Sequence, residues 1–379
     1  MQGMLEGFEA PSTRSADVAR VLVDVDLPHM DRPLDYIVPA GLADAAVVGS
    51  LVRVRLSSAR IDGWIVERTR REVGEGTASI ESVVSSTPVL ASSIYETARR
   101  IAARFLATTS QVLSLAIPPR HARAEREVRD ENAPTWPTVT SDHAGLGWEA
   151  YPAGEALVSR LRAGESPRAI ATMLRPRLRG CLSEAVASTV ASRRSVIVVT
   201  ATGEQAGRYA RALSEDLSIP VSLAGSEVAA EDRYRLHVAA SLGRVPVVVG
   251  TRSAVWVPCS RLGLIVIVDD GDDRLRERRF PKCDALDVAV QRCAVEGSGL
   301  LVVSSARSVK AQALVRSGWA VGIEPTPHAL REATPRVHLH GSTQAEREGA
   351  GGLMRIPQAA LRMIRGGLRS GPVLIQVAS

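Results

Sequence analysis

Aromatic residues and lysines are scarce in this 379-residue chain. Aromatic residues make up 3% of the sequence, which argues against stacking of bases on aromatic side chains as a main binding mode. Only Lys282 and Lys310 are lysines among the 47 basic residues. A phosphate-binding loop that depends on a lysine is therefore excluded from residues 1–281.

Cysteine pairs and long apolar runs are also missing. The four cysteines form no C-x-x-C pair, so the sequence supports neither a zinc ribbon nor a thioredoxin-like site, and we expect buried, reduced thiols. The longest apolar runs, such as Leu262–Val268, have the length of a strand and not of a membrane span. Residues 1–17 are polar and are predicted to be a loose tail with no signal peptide. These features favour a cytoplasmic protein with no membrane partner.

Residues 18–118 have the pattern of a small β-rich domain. Short apolar runs between turn residues predict strands at Val18–Val25, Leu34–Val38, Leu51–Leu56, Arg60–Glu67 and Ile80–Val84. Apolar residues spaced three or four apart predict a helix that begins near Ser92 and ends near Leu106. The domain carries eleven arginines against eleven acidic residues, so it is neutral overall.

The pattern changes after two prolines at positions 118 and 119. Residues 119–150 mix charged residues, proline and glycine without a period, and are predicted to be a linker. In residues 151–335, apolar runs alternate with helical stretches, which is typical of a parallel, doubly wound sheet. The fold class is thus predicted to be α/β with several domains. Residues 156–211 carry ten arginines and three acidic residues, which indicates either a phosphate-facing surface or a solvated helix face.

Three stretches of sequence carry a family resemblance. Arg32–Pro39 reads R-P-L-D-Y-I-V-P, and Gly49–Val54 and Gly63–Val66 follow it in the same domain. Gly250–Ala254 reads G-T-R-S-A, and Leu262–Ile267 is an apolar strand. In this order and spacing they resemble the PriA family of replication restart proteins, also called primosomal protein N-prime. The first stretch is similar to the family's DNA-binding domain, and the other two are similar to its helicase segments.

The resemblance implies a domain organisation. Residues 18–118 would bind the 3′ end of DNA, and residues 151–335 would form a degenerate RecA-like helicase lobe. Residues 336–379 resemble the start of an incomplete second lobe, so the chain is expected to stop before the family's zinc cysteines. The pattern is similar to that of the divergent actinobacterial members, which lack recognisable helicase motifs.

The resemblance also assigns roles to residues of the β-rich domain. Asp35 would accept a hydrogen bond from the terminal 3′-hydroxyl, and Tyr36 would pack near the terminal nucleotide. Gly49 and Gly63 would allow a close backbone approach, and Arg53 would contact a phosphate. Without the resemblance, Asp35 is interpreted as a turn-forming carboxylate and Tyr36 as a core ring.

Thr251 and Arg252 are the candidate DNA contacts of the α/β region. They follow a buried strand, and open α/β sheets bind ligands at the carboxyl ends of their strands. In the family this segment touches the DNA strand. The alternative is a structural arginine that binds loop carbonyls.

The family's nucleotide and metal motifs are altered. The segment aligned with the phosphate loop, about Leu178–Thr189, has one glycine and no lysine. Where the family has Asp-Glu-Glu-His, this chain has Val268, Asp269, Asp270 and Gly271, and a valine cannot hold magnesium. No catalytic or metal-binding residue is therefore assigned. ATP, magnesium and zinc, which family members use, are not expected as cofactors.

Three functional hypotheses follow. The first is a replication restart protein without helicase activity, which recognises stalled forks or D-loops through DNA 3′ ends. Its partners, implied by the family, are DNA, primosome proteins and single-strand-binding proteins. The second is an active ATP-dependent 3′–5′ DNA helicase with an unorthodox nucleotide site. The third is an α/β scaffold or small-molecule enzyme that binds no DNA.

Overall fold

The structure is a computed structural model that describes residues 13–74, 76–139, 147–335, 337, 347 and 356–376. The chain divides into two compact units, Met1–Ala329 and Leu330–Ser379. The first unit contains both β-sheets of the described residues. None of the described helices is long and apolar enough to cross a lipid bilayer.

The first sheet is antiparallel and five-stranded. Its strands are β1 (Thr13–Val23), β2 (Leu34–Ile37), β3 (Leu51–Leu56), β4 (Ala59–Gly74) and β5 (Ser82–Ser85), in the order β2-β1-β4-β3-β5. These are the predicted strands. β1 begins inside the predicted tail because Thr13–Asp17 pair with Arg70–Gly74 of the long β4. Residues 1–12 of that tail lie outside the described residues.

One segment protects both edges of this sheet. The Ile37 N–H donates to the Ala78 carbonyl at 2.8 Å, and the Ile80 N–H donates to the Ile37 carbonyl at 2.9 Å. Directly after this contact with β2, the chain pairs with β3 as β5. Since unpaired edges invite pairing with other chains, this closure makes the small sheet self-contained. Its core is formed by the inward-facing side chains Ala19, Val21, Val23, Tyr36, Val38, Ala46, Val52, Val54, Ile65 and Ile80.

Three helices follow the antiparallel sheet: α1 (Ser92–Phe105), α2 (Thr109–Ala116) and α3 (Ala122–Asp130). The helix predicted from Ser92 is α1. Helix α3 lies within the predicted linker, because the His121 side chain caps its N-terminus and its apolar face is buried at Ala124 and Val128. The interval between those two residues is one helical turn, a signal too short to stand out in a charged segment. Residues 140–146 of the predicted linker lie outside the described residues.

The second sheet has seven parallel strands, with an α-helix between successive strands except between β9 and β10, where a 3-10 helix lies. The strands are β6 (Arg168–Thr172), β7 (Ser195–Val199), β8 (Val221–Ala224), β9 (Val247–Gly250), β10 (Leu262–Val268), β11 (Gly299–Ser304) and β12 (Val321–Ile323). The helices are α4 (Gly154–Arg162), α5 (Leu178–Ala191), α6 (Gly203–Leu217), α7 (Ala230–Ser241), α8 (Ala285–Glu296), α9 (Val309–Arg316) and α10 (Pro327–Ala333). This arrangement confirms the predicted α/β fold class.

The central strands are buried on both faces, as expected for a parallel sheet. In β10, Ile265 and Ile267 pack into one core, and Leu264, Val266 and Val268 pack into the other. The strand order is β12-β6-β11-β10-β7-β9-β8, so β6, β11, β10 and β7 are neighbours. The loops that follow these strands therefore meet at one edge. The second unit contains helix α11 (Gln358–Gly367).

Candidate nucleic-acid interface

Asp35 lies on the exposed face of β2, with 42% of its side chain accessible. It is opposite Arg20 of β1, which is itself opposite Glu67 of β4. Arg20 Nε is 3.9 Å from Asp35 Oδ1, and Arg20 Nη1 is 2.9 Å from Glu67 Oε2. Arg71 of β4 pairs with the other carboxylate oxygen of Asp35. We call these four residues the Asp35 cluster.

The Asp35 cluster combines one hydroxyl acceptor with two phosphate-binding groups. A carboxylate offers about four lone-pair sites, and the two arginines leave part of them open to solvent. Arg20 and Arg71 are each 38% exposed. Guanidinium groups of this kind commonly contact DNA phosphates. Sequence reasoning missed both arginines, because only the pairing of β1, β2 and β4 brings them to Asp35.

Tyr36 points in the opposite direction. Successive residues of a strand face opposite sides of a sheet, so Asp35 and Tyr36 cannot both lie on the exposed face. Tyr36 is 3% exposed in the core, and its hydroxyl donates to the Arg55 carbonyl at 3.2 Å. Burial raises the pKa of Tyr36. The predicted packing against a terminal nucleotide is therefore corrected: Tyr36 is a core ring that supports β2 from behind.

The two predicted glycine contacts are also internal. Gly49 has a φ of +91°, and a Cβ there would lie 2.6 Å from the Leu90 carbonyl oxygen. A Cβ on Gly63 would lie 2.7 Å from the Leu22 carbonyl oxygen. Both glycines are buried. The close approach that they permit is between segments of this chain, and not the predicted approach to DNA.

Arg53 lies on β3, next to the strand β4 that carries Glu67 and Arg71 of the Asp35 cluster. Strands β1 and β4 lie between β3 and the strand of Asp35 in the sheet order. Arg53 binds Asp62 through two hydrogen bonds, of 2.7 and 3.1 Å, and its side chain is 45% exposed. These bonds raise the pKa of Arg53. A phosphate would have to share this guanidinium with Asp62.

Thr251 and Arg252 lie directly after β9, at the carboxyl edge of the parallel sheet as expected. Thr251 is 8% exposed, and Arg252 Nε donates to Glu277 Oε2 at 3.3 Å. The partner of Arg252 is thus a carboxylate and not the loop carbonyls of the alternative interpretation. Burial opposes ionisation of Glu277, but backbone N–H groups and Arg252 outweigh it and lower the pKa of Glu277.

A cavity of about 390 Å³ contains these two residues. Its walls come from residues 114–119, which include the end of α2 and the segment after it, and from the loops around Thr251 and Glu277. Arg233 and Arg279 also line it. The β-rich domain and the parallel sheet therefore form one basic-lined groove, which we call the junction cavity.

The loop at the carboxyl end of β6 holds an internal ion pair. Arg175 donates from Nε to Ser305 Oγ at 2.9 Å and from Nη2 to Asp269 Oδ1 at 3.1 Å. Asp269 follows β10, and Ser305 follows β11. We call this contact the Arg175 bridge. The loop after β6 comprises residues 173–177, because α5 begins at Leu178. The segment aligned with the family's phosphate loop, about Leu178–Thr189, is therefore helical.

The acidic run after β10 is occupied by contacts within the chain. Asp270 accepts hydrogen bonds from Ser304 Oγ at 2.9 Å and from Ser308 Oγ. Asp272 pairs with Arg274 at 2.6 Å, which lowers the pKa of Asp272. In the described part of the chain, no three His, Cys, Asp or Glu side chains are placed to hold a metal ion.

A buried polar network fixes the β-rich domain against the parallel sheet. Glu125 of α3 is 3% exposed and accepts from Ser85 Oγ at 2.7 Å, from Arg120 Nε at 2.8 Å and from the Tyr234 hydroxyl at 3.0 Å. Burial opposes its ionisation, but these three bonds outweigh burial and lower the pKa of Glu125. His237 of α7 lies 2.7 Å from the Val89 carbonyl oxygen across the same junction. The sequence offered no signal for this network.

The four cysteines are free and buried, as predicted. Burial raises the pKa of the Cys181 and Cys259 thiols to about 12. Such thiols stay protonated at neutral pH and are poor nucleophiles. They therefore belong to the core.

Comparison with known proteins finds a match for the first domain. Residues 20–118 match the family model of the PriA 3′ DNA-binding domain. The chain is 37% identical over 361 residues to probable replication restart protein PriA of Mycobacterium tuberculosis and of Mycobacterium bovis. Each match covers 93% of this chain and 54% of the relative, so the chain spans about half the length of the curated relatives it matches. The predicted resemblance is confirmed.

Two further similarities are weaker. Replication restart protein PriA of Treponema pallidum is 31% identical over 93 residues, which cover 24% of this chain and 14% of that protein. Among solved structures, the DUF1998 helicase MrfA bound to DNA aligns with a TM-score of 0.34 at 11% identity. That alignment covers 50% of this chain and 28% of the helicase.

Proposed function

We propose that this chain, which resembles PriA over 93% of its length, recognises stalled forks or D-loops through the 3′ end of a DNA strand. It supports primosome assembly there without unwinding DNA. The observation that carries the proposal is the Asp35 cluster, an exposed carboxylate between two arginines on a domain that matches the PriA 3′ DNA-binding domain.

The chemistry of the cluster favours a terminal hydroxyl over a terminal phosphate. A carboxylate oxygen accepts a hydrogen bond from a hydroxyl, whereas it repels a phosphate. Arg20 and Arg71 are then available to the phosphate that precedes the terminal nucleotide. The cluster has two positive and two negative side chains, so long-range attraction contributes little. Thr251 and Arg252, in the basic junction cavity, are the proposed contacts of the DNA strand beyond its end.

The Arg175 bridge supports a role without ATP-driven unwinding. Phosphoryl transfer depends on a lysine, a metal ion and positioned groups around the phosphates. Here the loops that would supply them bind one another through Arg175, Asp269 and Ser305. ATP, magnesium and zinc have no part in the proposed function. DNA, primosome proteins and single-strand-binding proteins are the proposed partners.

Fluorescence anisotropy with two otherwise identical oligonucleotides tests the end recognition. The full chain should bind a 3′-hydroxyl end more tightly than a 3′-phosphate end by about 1–3 kcal/mol, the value of a hydrogen bond to a charged group. This corresponds to about five- to 150-fold in Kd. Asp35→Ala, which removes the acceptor together with the charge, should abolish most of this preference. Glu67→Gln removes a charge from the same cluster without removing the acceptor, and should retain the preference.

Equal affinity of the wild-type chain for the two ends would remove end recognition from the proposal. Loss of the preference in Glu67→Gln as well as in Asp35→Ala would assign the effect to cluster charge, and not to the Asp35 hydrogen bond.

A further inference from the structure

A cavity of about 790 Å³ lies at the amino ends of β7 and β10. It is at the opposite edge of the parallel sheet from Thr251 and the Arg175 bridge. The loop before β7 contributes Arg193 and Arg194, and the loop before β10 contributes Ser260 and Arg261. The start of α1 forms another wall. The cavity therefore lies between the β-rich domain and the sheet, and we call it the amino-edge cavity.

The amino-edge cavity has an excess of positive charge. Arg193 and Arg261 are exposed, and within the described ranges their guanidinium groups have no hydrogen-bond or ion-pair partner. Arg194 instead donates to the carbonyls of Gly164 and Leu262, at 2.6 and 3.1 Å. The acidic residue of the lining, Glu296, is neutralised by the buried Arg292, whose Nε lies 2.6 Å from it.

The ten arginines of residues 156–211 include some that are paired with acids and some that are not. Arg175 and Arg179 are ion-paired, with Asp269 and Asp216. Arg160 is paired in the same way with Glu165. Arg193 has no such partner, so the solvated and the ligand-facing interpretations apply to different members of the group.

Helix α1 adds hydrogen-bond donors to the same wall. It begins at Ser92, and its N-cap residue, Ala91, has no side chain that could accept from the first turn. No acidic residue lies in that turn. The free N–H groups of a helix N-terminus carry partial positive charge and bind anions. Ala91 and Ser93 both line the cavity, so these donors lie beside the arginines.

We infer that the amino-edge cavity binds backbone phosphates of DNA away from the 3′ end, an inference that rests on the proposed function. Arginines, hydroxyls and helix N-termini are the usual phosphate contacts of DNA-binding proteins. No aromatic side chain lines the cavity, so bases have no ring on which to stack. Both unpaired arginines are exposed, which suits a polyanion on the surface. Binding here is therefore independent of sequence and of the chemistry of the strand end.

Anisotropy with a blunt duplex blocked by 3′-phosphates isolates this contact. In the full chain, Arg193→Gln with Arg261→Gln should weaken binding of the blocked duplex about tenfold at low salt. It should also lower the slope of log affinity against log salt by about two. The preference for a 3′-hydroxyl end should remain. Arg126→Gln with Arg316→Gln, which removes two exposed arginines outside the cavity, is the matched control and should change binding less than twofold.

An equal loss of affinity in both double variants would overturn the inference in favour of a diffuse positive field. Equal binding of the blocked duplex by the wild type and by the Arg193 and Arg261 double variant would also overturn the inference, if inorganic pyrophosphate raised the melting temperature of the wild type alone. The cavity would then belong to a small phosphate ligand. Failure of the proposed function is separate, since it appears as equal binding of the two 3′ ends by the wild type.

Discussion

The chain contains two acid–arginine clusters with the same chemistry, whose aspartates differ in accessibility. In the Asp35 cluster, 42% of the aspartate side chain is exposed and its partners project from a flat sheet face. In the Arg175 bridge, the aspartate side chain is 23% exposed and the arginine 61% exposed, and the bridge joins three loops that converge at the edge of the parallel sheet. Converging loops cover an acid, whereas a sheet face leaves it open.

This difference teaches how one type of ion pair serves two purposes. An exposed pair contributes little to stability, so its groups can exchange partners with a ligand at little cost. In the Arg175 bridge the guanidinium is 61% exposed, but its contacts join the loops that follow β6, β10 and β11. The Asp35 cluster is therefore suited to exchanging partners with a ligand, and the Arg175 bridge to joining these three loops.

The largest expected effect concerns the Arg175 bridge. We expect no DNA-stimulated ATP hydrolysis by the full chain, because groups of the kind missing here contribute about 10³-fold or more to phosphoryl transfer. Arg175→Ala opens the bridge without supplying a lysine, and should also be inactive. A phosphate-release assay with forked DNA measures both proteins. Turnover at ordinary helicase rates in either one would break the comparison, since the closed edge would then be a nucleotide site.

A second prediction concerns the buried network of Glu125. Removing one partner from a buried charged network costs about 3–5 kcal/mol, so Glu125→Ala should lower the free energy of unfolding by roughly that amount. Glu127→Ala is the matched control on the same helix. Glu127 is 37% exposed and pairs with Arg123 and Arg235, so its loss should hardly change the melting temperature. Urea unfolding of the three proteins compares them, and similar losses in both variants would contradict the contrast between enclosed and exposed pairs.

His237 adds a pH dependence to the same junction. Burial lowers the pKa of His237 to about 4, against an ordinary value of 6.5, although the bond to Val89 opposes this shift. Between these two values the unfolded chain binds a proton that the folded chain does not, so stability falls as pH falls from 6.5 to 4. The loss is about 3 kcal/mol. Above pH 6.5 both states are neutral and this contribution is constant.

His237→Gln keeps a donor for the Val89 carbonyl and removes the titration. Its unfolding free energy should therefore depend less on pH between 4 and 6.5 than that of the wild type. Urea titrations at several pH values measure the two slopes, and parallel curves would exclude His237 as the source.

The smallest expected effect concerns Arg53. Because Asp62 already holds its guanidinium and two strands lie between β3 and the strand of Asp35, Arg53→Gln should weaken binding of 3′-hydroxyl and 3′-phosphate ends alike, by no more than about threefold at low salt. Anisotropy at two salt concentrations measures this. A selective loss of the 3′-hydroxyl preference would place Arg53 in the end-recognition site. That site would then include β3 as well as the strands of the Asp35 cluster.

Local sequence patterns predicted most strands and several helices, because the period of apolar residues depends only on near neighbours. They also placed Thr251 and Arg252 correctly at the carboxyl end of β9. They failed for α3, whose short charged sequence is stabilised by contacts with Ser85 and Tyr234 that lie far away in the chain. They failed for Tyr36 because a family role was carried to a residue that the strand alternation turns into the core.

The amino-acid sequence by itself determined the α/β fold class, the absence of any lysine before position 282 and the similarity to PriA. Only the tertiary structure decided which charged side chains meet. Arg71 reaches Asp35 through strand pairing, and Arg175 reaches Asp269 across 94 positions of the chain. Such pairings depend on strand register and on the order of strands in a sheet, and distant segments of the chain fix both. No local pattern of residues therefore specifies which arginine will pair with which acid, or how exposed that acid will be.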